Sequence, residues 1–235
     1  MSREPVIKLA STSEYEEYLR AEWRLFVDDP GRAQGSLRAL DGRSVLNVLD
    51  IGCWAGQELL PFADSSFCVG VDLSPAGGLV GRELFRELRP EARVSFAQAT
   101  AEALPFNTDS FNVVICRLAL PYTHNALALA EIARVLKPNG TLLLKIHHAR
   151  YYLRKFWAGL RRREFLSMVH AGRVLVAGSV YHLIGRQVRS RLLSPETFQT
   201  EWLLRRELDR SGLAISSQLA DSNPNTPSFV VCNNK

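Results

Sequence analysis

Asp50, Gly52, Gly56 and Asp72 are the residues of this 235-residue sequence whose types and spacing point most directly to chemistry. They begin in "VLDIGCWAGQE", residues 48–58, where an apolar run drives into an acid and two glycines follow. A strand, a glycine turn and a helix start together form a nucleotide-type cradle. Glycine lets a ligand approach the backbone, and the helix start offers free N–H groups. The glycines stand in GxxxG spacing, so the dinucleotide fingerprint GxGxxG fails and a nicotinamide dehydrogenase is disfavoured. Asp50 would repel a pyrophosphate but suits a cationic group. Asp72 ends the next apolar run, 20 residues after Gly52. An acid there is placed to accept both hydroxyls of a ribose.

A ligand with a ribose, a positive group and no phosphate is S-adenosylmethionine, which carries an amino group and a sulfonium. With that, the chain resembles the class I S-adenosylmethionine-dependent methyltransferases, and among them the small-molecule branch of ubiquinone and menaquinone C-methyltransferases. The resemblance covers about residues 45–148. "VLDIGCWAG" corresponds to the glycine-rich motif and "VGVDLSP" to the ribose-binding acid. "ATAEALPFNTDSFNVVICR" resembles the stretch around the adenine and the fourth strand, and "EIARVLKPNGTLLL" the helix, turn and fifth strand. The resemblance implies that Asp72 holds the ribose and Leu73 packs on the adenine. It implies that Thr100 and Ala101 meet the adenine edge and that the Gly52 backbone lies near the methionine part; Asp50, Trp54 and Gly56 are candidates for the same cofactor cradle. Cys116 and Arg117 would stand between methionine and substrate. The chain departs from the pattern at Trp54, where relatives carry a glycine, at Thr100, commonly an acid, and at Asn139 in the "PNG" turn. Trp54 either lines the cradle, where a π face near a sulfonium is favourable by roughly 0.5–2 kcal/mol, or closes it.

Four residues are candidates for the reaction itself. His147 and His148 end the fifth apolar run, at an edge that faces substrate in such folds, and either could serve as a general base. Tyr122 and His124 follow the fourth run, although "PY" stands where many relatives have two histidines. No spacing suits a metal: Cys53, Cys68, Cys116 and Cys232 are scattered without a CxxC pair and read as reduced thiols.

The elements that must position these residues alternate from about residue 45. "SVLNVLDI", "SFCVGVDL", "RVSFAQA", "SFNVVICRL" and "TLLLKIHH" are apolar, β-branched strands. "QELLPFA" starts a helical pattern, and "GLVGRELFRELR" and "NALALAEIARVLK" are helices between strands. Alternation of this kind means a parallel sheet with crossover helices. "SPETFQTEWLLRRELDRSG" reads as one helix from a Ser-Pro start to a Gly stop. "LAISSQLA" and "SFVVCN" close the sheet as an antiparallel pair. The expected fold is α/β: a Rossmann-like, doubly wound, mostly parallel seven-stranded sheet. A helical cap is expected over 1–40, the cofactor-binding core over 41–148, a basic helical insertion over 149–194, and a closing helix and strands over 195–235.

Hydrophobic residues make up 46% and charged residues 23%, ordinary for a globular chain. No stretch reaches the roughly 18 apolar residues of a membrane span. The charged N-terminus lacks a signal-peptide apolar region, so a cytoplasmic location is expected. Of the net charge of +5, residues 150–191 contribute +9, with ten Lys and Arg against Glu164 alone. In "RYYLRKFWAGLRRR", Leu153, Phe156, Trp157 and Leu160 share a helical face beside Arg154, Arg161 and Arg162. That face could pack on the domain, form a lid whose arginines hold an anionic substrate, or contact a membrane surface. A nucleic-acid grip is the weaker reading, because no RNA-binding module accompanies it. The resemblance implies methyl transfer to a small molecule; the basic segment points to an anionic or lipid-like acceptor, with oxygen expected first, then carbon or nitrogen. The rivals are an RNA methyltransferase and an inactive binding protein whose cradle Trp54 blocks.

Overall fold

The computed structural model describes residues 12–40, 42, 44–188 and 193–234. Residues 1–11 of the expected cap, and Arg189 and Arg191 of the basic segment, lie outside them. Five strands run parallel: β1 (Asn47–Ile51), β2 (Phe67–Asp72), β3 (Val94–Gln98), β4 (Phe111–Arg117) and β5 (Leu136–Lys145). β6 (Leu213–Gln218) and β7 (Ser228–Asn233) close the sheet antiparallel, in the order β3-β2-β1-β4-β5-β7-β6. The order reverses between β1 and β4. Ligands of open α/β sheets bind at such a switch point, beyond the carboxyl ends of the strands. Asp50, Asp72, Arg117 and His147 all gather there.

Helices cover both faces. On one, α4 (Asn125–Val135) and α7 (Glu201–Arg210) bury Leu129, Ile132, Leu204 and Leu208 against the sheet. On the other, α1 (Thr12–Asp28) and α3 (Pro75–Leu88) bury Leu19, Trp23, Val80 and Leu84. Leu19, Trp23 and Phe26 follow i, i+4, i+7 spacing, which makes one buried stripe of α1. α2 (Pro30–Arg38) is capped by Asp29, which accepts from the Gly31 N–H. The basic insertion is a helical hairpin, α5 (Ala149–Arg162) and α6 (Phe165–Ile184), seated on a small cluster of Tyr152, Val174 and Phe198.

Two expected helices are shorter than their sequences suggest. "QELLPFA" forms only a 3-10 turn, Gln57–Leu59. The reason is Pro61, which cannot donate to the Gln57 carbonyl as an α-helix requires; the chain instead makes i→i−3 bonds on either side of it, from Leu59 and Leu60 and again from Phe62 and Ala63. In the C-terminal stretch only Glu201–Arg210 is helical, capped by Thr200. Residues 194–199 stay irregular because their N–H groups bond outward: Thr197 to the Pro121 carbonyl and Gln199 to that of His147. β5 also begins earlier than expected. It includes "PNG", with Asn139 at φ +61°, a left-handed position that asparagine tolerates.

Glu207 of α7 is buried and accepts from Gln199 Nε2 at 3.1 Å. Burial pushes its carboxyl up to about 7. A raised acid favours the folded state below its unfolded value near 4.5, and that favour is lost as pH rises through 7. The melting temperature should therefore fall between pH 5 and 8. In Glu207→Gln that part of the fall should vanish, a difference of about 2–3 kcal/mol at pH 8. Thermal melts of both proteins across this range measure it; parallel curves would refute the assignment.

Candidate functional site

The first half of the site is the turn after β1. Gly52, Trp54 and Gly56 all take positive φ, at +70°, +50° and +79°. Trp54 keeps the left-handed backbone usually given to glycine, at a cost of order 1 kcal/mol. It is held there by its N–H, which donates to Asp72 Oδ2 at 3.1 Å, and by α3. A Cβ at Gly77 would come within 2.4 Å of the Trp54 carbonyl, so only glycine lets the helix approach the turn this closely. The indole leans against Tyr18 of α1, ring centres 5.4 Å apart. At the other wall, Leu118 takes φ +64° and brings Ala119 against Gly52, where a Cβ would sit 2.5 Å from the Ala119 side chain.

Asp72 lies at the mouth of this turn. Its Oδ1 accepts from the Ser74 N–H at 3.0 Å. Burial raises its carboxyl, and the N–H groups of Ser74, Trp54 and Leu73 oppose the shift. A carboxylate offers about four acceptor positions, so the N–H groups of the turn leave it capacity for ligand hydroxyls. Leu73 is exposed beside it, and Gln98 Nε2 donates to the Leu73 carbonyl at 2.9 Å. Thr100 is exposed and Ala101 buried at the end of the next strand, on the same rim. Tyr15 of α1 faces the turn, and burial and the Asp72 charge raise its hydroxyl to about 12.

Asp50 is fully buried, and its Oδ2 has no hydrogen-bond partner among the described residues. Burial, then Glu58 and Asp72, push its carboxyl well above the usual range, against Arg117 and Arg32. Those cations are already engaged. Arg117 Nε lies 3.0 Å from Glu58, and its Nη2 meets Asp221, which also accepts from Lys145 Nζ at 2.7 Å. Arg32 of α2 reaches Glu58 as well. An orphaned buried acid beside arginines that pair with other carboxylates is costly by about 1–3 kcal/mol. Cys116 is fully buried and its thiol is raised to about 12 by burial, so it is inert filler in the wall.

The second half of the site lies beyond β5. His147 is buried and stacks on Tyr151, 4.2 Å between centres at 3°. Its Nδ1 is 3.0 Å from the Tyr152 hydroxyl, and Tyr152 bonds Glu196. His170 Nε2 meets the other Glu196 oxygen at 2.9 Å. Burial alone would raise Glu196, but the bonds from His170 and Tyr152 hold it below the usual carboxylate range. Tyr152 therefore gives its single proton to the carboxylate and accepts from His147 Nδ1–H. Burial, reinforced by Lys155 and Lys145 against Glu196, lowers His147 to about 4. The imidazole is neutral at pH 7, its lone pair is on Nε2, and Nε2 has no partner among the described residues. Tyr122 presents its ring edge to His147 at 6.4 Å and bonds Glu196. Tyr18 joins the two halves: Trp54 packs on it, and it lies near enough to Tyr151 for that hydroxyl to raise its pKa, after burial and Glu22.

The structure thus brings together the cradle residues, Tyr122 and His147. It separates two other candidates from them. His148 caps α5, its Nδ1 accepting from the Arg150 N–H at 3.2 Å. His124 is the N-cap residue of α4, its N–H donating to Glu102 at 2.7 Å. Glu196 and Tyr152 carry no motif and escape a reading of the sequence. The one available signal is the polar run at Ser194, Glu196, Thr197 and Gln199, all of it buried.

Residues 48–140 match a family described as a methyltransferase domain. The chain is 38% identical over 115 residues to an uncharacterized methyltransferase, YcgJ, of Bacillus subtilis, covering 48% of this chain and 45% of the relative. It is 44% identical over 102 residues to the ubiquinone/menaquinone biosynthesis C-methyltransferase UbiE of Photorhabdus laumondii, 41% of each chain. Both matches span less than half of the relative's own length. In fold, the chain is similar over 94% of its length to 98% of a chain solved in complex with the Trm112 methyltransferase activator of Haloferax volcanii, with a TM-score of 0.61 and 19% identity. The matched segment contains the glycine turn, Asp50, Asp72 and Arg117, and stops short of His147 and Glu196. Over residues 48–140 the chain is thus similar to a methyltransferase domain, and over that region it resembles relatives named as methyltransferases.

Proposed function

We propose that the chain methylates a hydroxyl of a small, flat acceptor, with S-adenosylmethionine as donor and His147 as the base. The observation that carries this is the Glu196–Tyr152–His147 chain, which leaves an uncharged imidazole with its lone pair on Nε2 beside aromatic walls. S-adenosylmethionine fits the cradle: its ammonium supplies the donor that the Asp50 Oδ2 lacks, and its ribose hydroxyls take the spare acceptors of Asp72. Leu73 packs on the adenine, with Thr100 and Ala101 at its edge. When bound, this cofactor supplies an electrophilic methyl on a sulfonium. The protein supplies position, exclusion of water and a proton acceptor. His147 Nε2 would accept the proton of the acceptor hydroxyl, and Glu196, through Tyr152, would stabilise the resulting imidazolium.

Tyr122, Tyr151 and His147 favour a flat acceptor such as a phenol. The exposed arginines Arg150, Arg154 and Arg161 lie on the outer side of α5. Lys155, whose charge reaches His147, suits an acidic substituent. The family match ends at residue 140, before this half of the site, and the base supports oxygen over an unactivated carbon. The reading is tested by titrating the protein with S-adenosylmethionine in a calorimeter, then incubating it with phenols and phenolic acids. Mass spectrometry detects the added methyl group, and NMR distinguishes O-methyl from C-methyl. Micromolar binding and an O-methyl product are expected. A C-methyl product overturns the role of the base, and absence of binding overturns the cofactor.

A further inference from the structure

The α5–α6 hairpin shows an apolar surface to solvent. On α5, Leu153, Trp157 and Leu160 repeat at i, i+4, i+7 and are exposed, although such a stripe commonly packs on the core. On α6, Phe165, Val169, Val176 and Leu183 lie along one line of the helix and are exposed too, with Leu183 at 87% and Leu166 nearby at 89%. The two stripes share one side. Phe156 meets Gly172 at the seam between the helices, and Tyr152, Val174, Ala177 and Tyr181 point into the core. The stripes therefore flank the seam on its outer side. α6 has 20 residues and so runs about 30 Å. Patches of this extent on a monomer mark interaction sites.

Its rim names the occupant. Arg150, Arg154 and Arg161 border the α5 stripe, Arg162 and Arg163 stand at the turn, and Arg173 borders α6, all exposed. Among the described residues no carboxylate forms an ion pair with Arg150, Arg154, Arg161 or Arg162. Glu164 is the sole acid from 150 to 188. A second copy of this chain would bring like charges together over the same face. A nucleic acid would meet the arginines but leave Leu, Val and Phe in water. An apolar plane ringed by cations fits an anionic bilayer, whose headgroups take the arginines and whose acyl boundary takes the stripe. No described helix is long and apolar enough to cross a membrane, so the hairpin lies on the surface.

We propose that the outer face of the α5–α6 hairpin docks the protein on anionic membrane. This does not depend on the reaction, because the readout is binding. The full chain is floated with vesicles of phosphatidylcholine alone, or with about a third phosphatidylglycerol. Flotation with the anionic vesicles only, weakened by salt, is expected. Leu166→Glu/Leu183→Glu and Arg154→Glu/Arg161→Glu should each reduce partitioning on the order of tenfold. The substituted side chains are exposed, and unchanged thermal melts would confirm folding. Failure to float with anionic vesicles overturns the proposal, as does flotation that both variants retain. A dimer in sedimentation that Leu166→Glu/Leu183→Glu converts to monomer overturns it in favour of a second copy. Arginine-dependent RNA binding without flotation overturns it in favour of nucleic acid.

Discussion

Asp72→Ala should weaken S-adenosylmethionine binding by about 100-fold or more. Each hydrogen bond to a charged group contributes roughly 1.5–3 kcal/mol, and two ribose hydroxyls would lose their acceptor together. The substitution also frees the Trp54 and Ser74 N–H groups, which Asp72 now ties to the turn. Asp72→Asn separates the two effects. It keeps the shape and one acceptor oxygen, so one of the two turn bonds is retained and the affinity should fall less. Calorimetric titration of the three proteins reads this directly, beside melts that report folding. Unchanged affinity in a folded Asp72→Ala protein would remove Asp72 from the cofactor site.

His147→Gln should lower kcat by about 10²–10⁴, the usual contribution of a positioned general base. Its affinity for S-adenosylmethionine should not change, because His147 stands outside the glycine turn. The pH dependence adds a signature. A base acts only while its lone pair is free, so activity falls as pH drops through the folded pKa. Burial lowers that value to about 4, so the acid limb should lie near 4 rather than at the 6.5 of an ordinary histidine. Tyr152→Phe removes the hydroxyl that receives Nδ1–H and contacts Glu196. It should lower kcat by about tenfold and shift the acid limb, while KM for the cofactor holds. An unaltered kcat in His147→Gln would show that positioning alone drives the transfer.

The two halves of the site differ in origin. The cradle lies wholly within residues 48–140, the segment shared with the methyltransferase family. The proton chain is assembled from three places outside it: His147 after β5, Tyr152 on α5 and Glu196 before α7. The hairpin that carries Tyr152 also carries the outer apolar face. One insertion thus buries Tyr152 beside His147 on its inner side and leaves an apolar stripe exposed on its outer side.

The parts legible in the sequence are those set by near neighbours along the chain. The apolar runs identified the five parallel strands, because a buried parallel strand is apolar nearly throughout, and the last two runs marked the antiparallel pair that closes the sheet. Asp50, Gly52 and Asp72 could be placed because a strand end and a glycine turn follow each other within a few residues. Asn139 was readable as a left-handed turn for the same reason. Local patterns also misled where a distant partner decided the outcome. "SPETFQ" has a helix-start signature, yet its N–H groups bond Pro121 and His147, and that keeps it extended and brings Glu196 beneath the imidazole. His147 and His148 are indistinguishable as neighbours in the sequence. The structure buries one against Tyr151 and Tyr152 and spends the other on a helix cap. The amphipathic stripe of α5 was plain, but its direction was not. Periodicity shows that a helix has an apolar face, and only the seat of Tyr152, Val174 and Phe198 turns that face outward. Hydrophobic spacing is a property of one segment; burial, a lone pair's availability and the side on which an insertion lands belong to several segments at once, so the tertiary structure alone decided them.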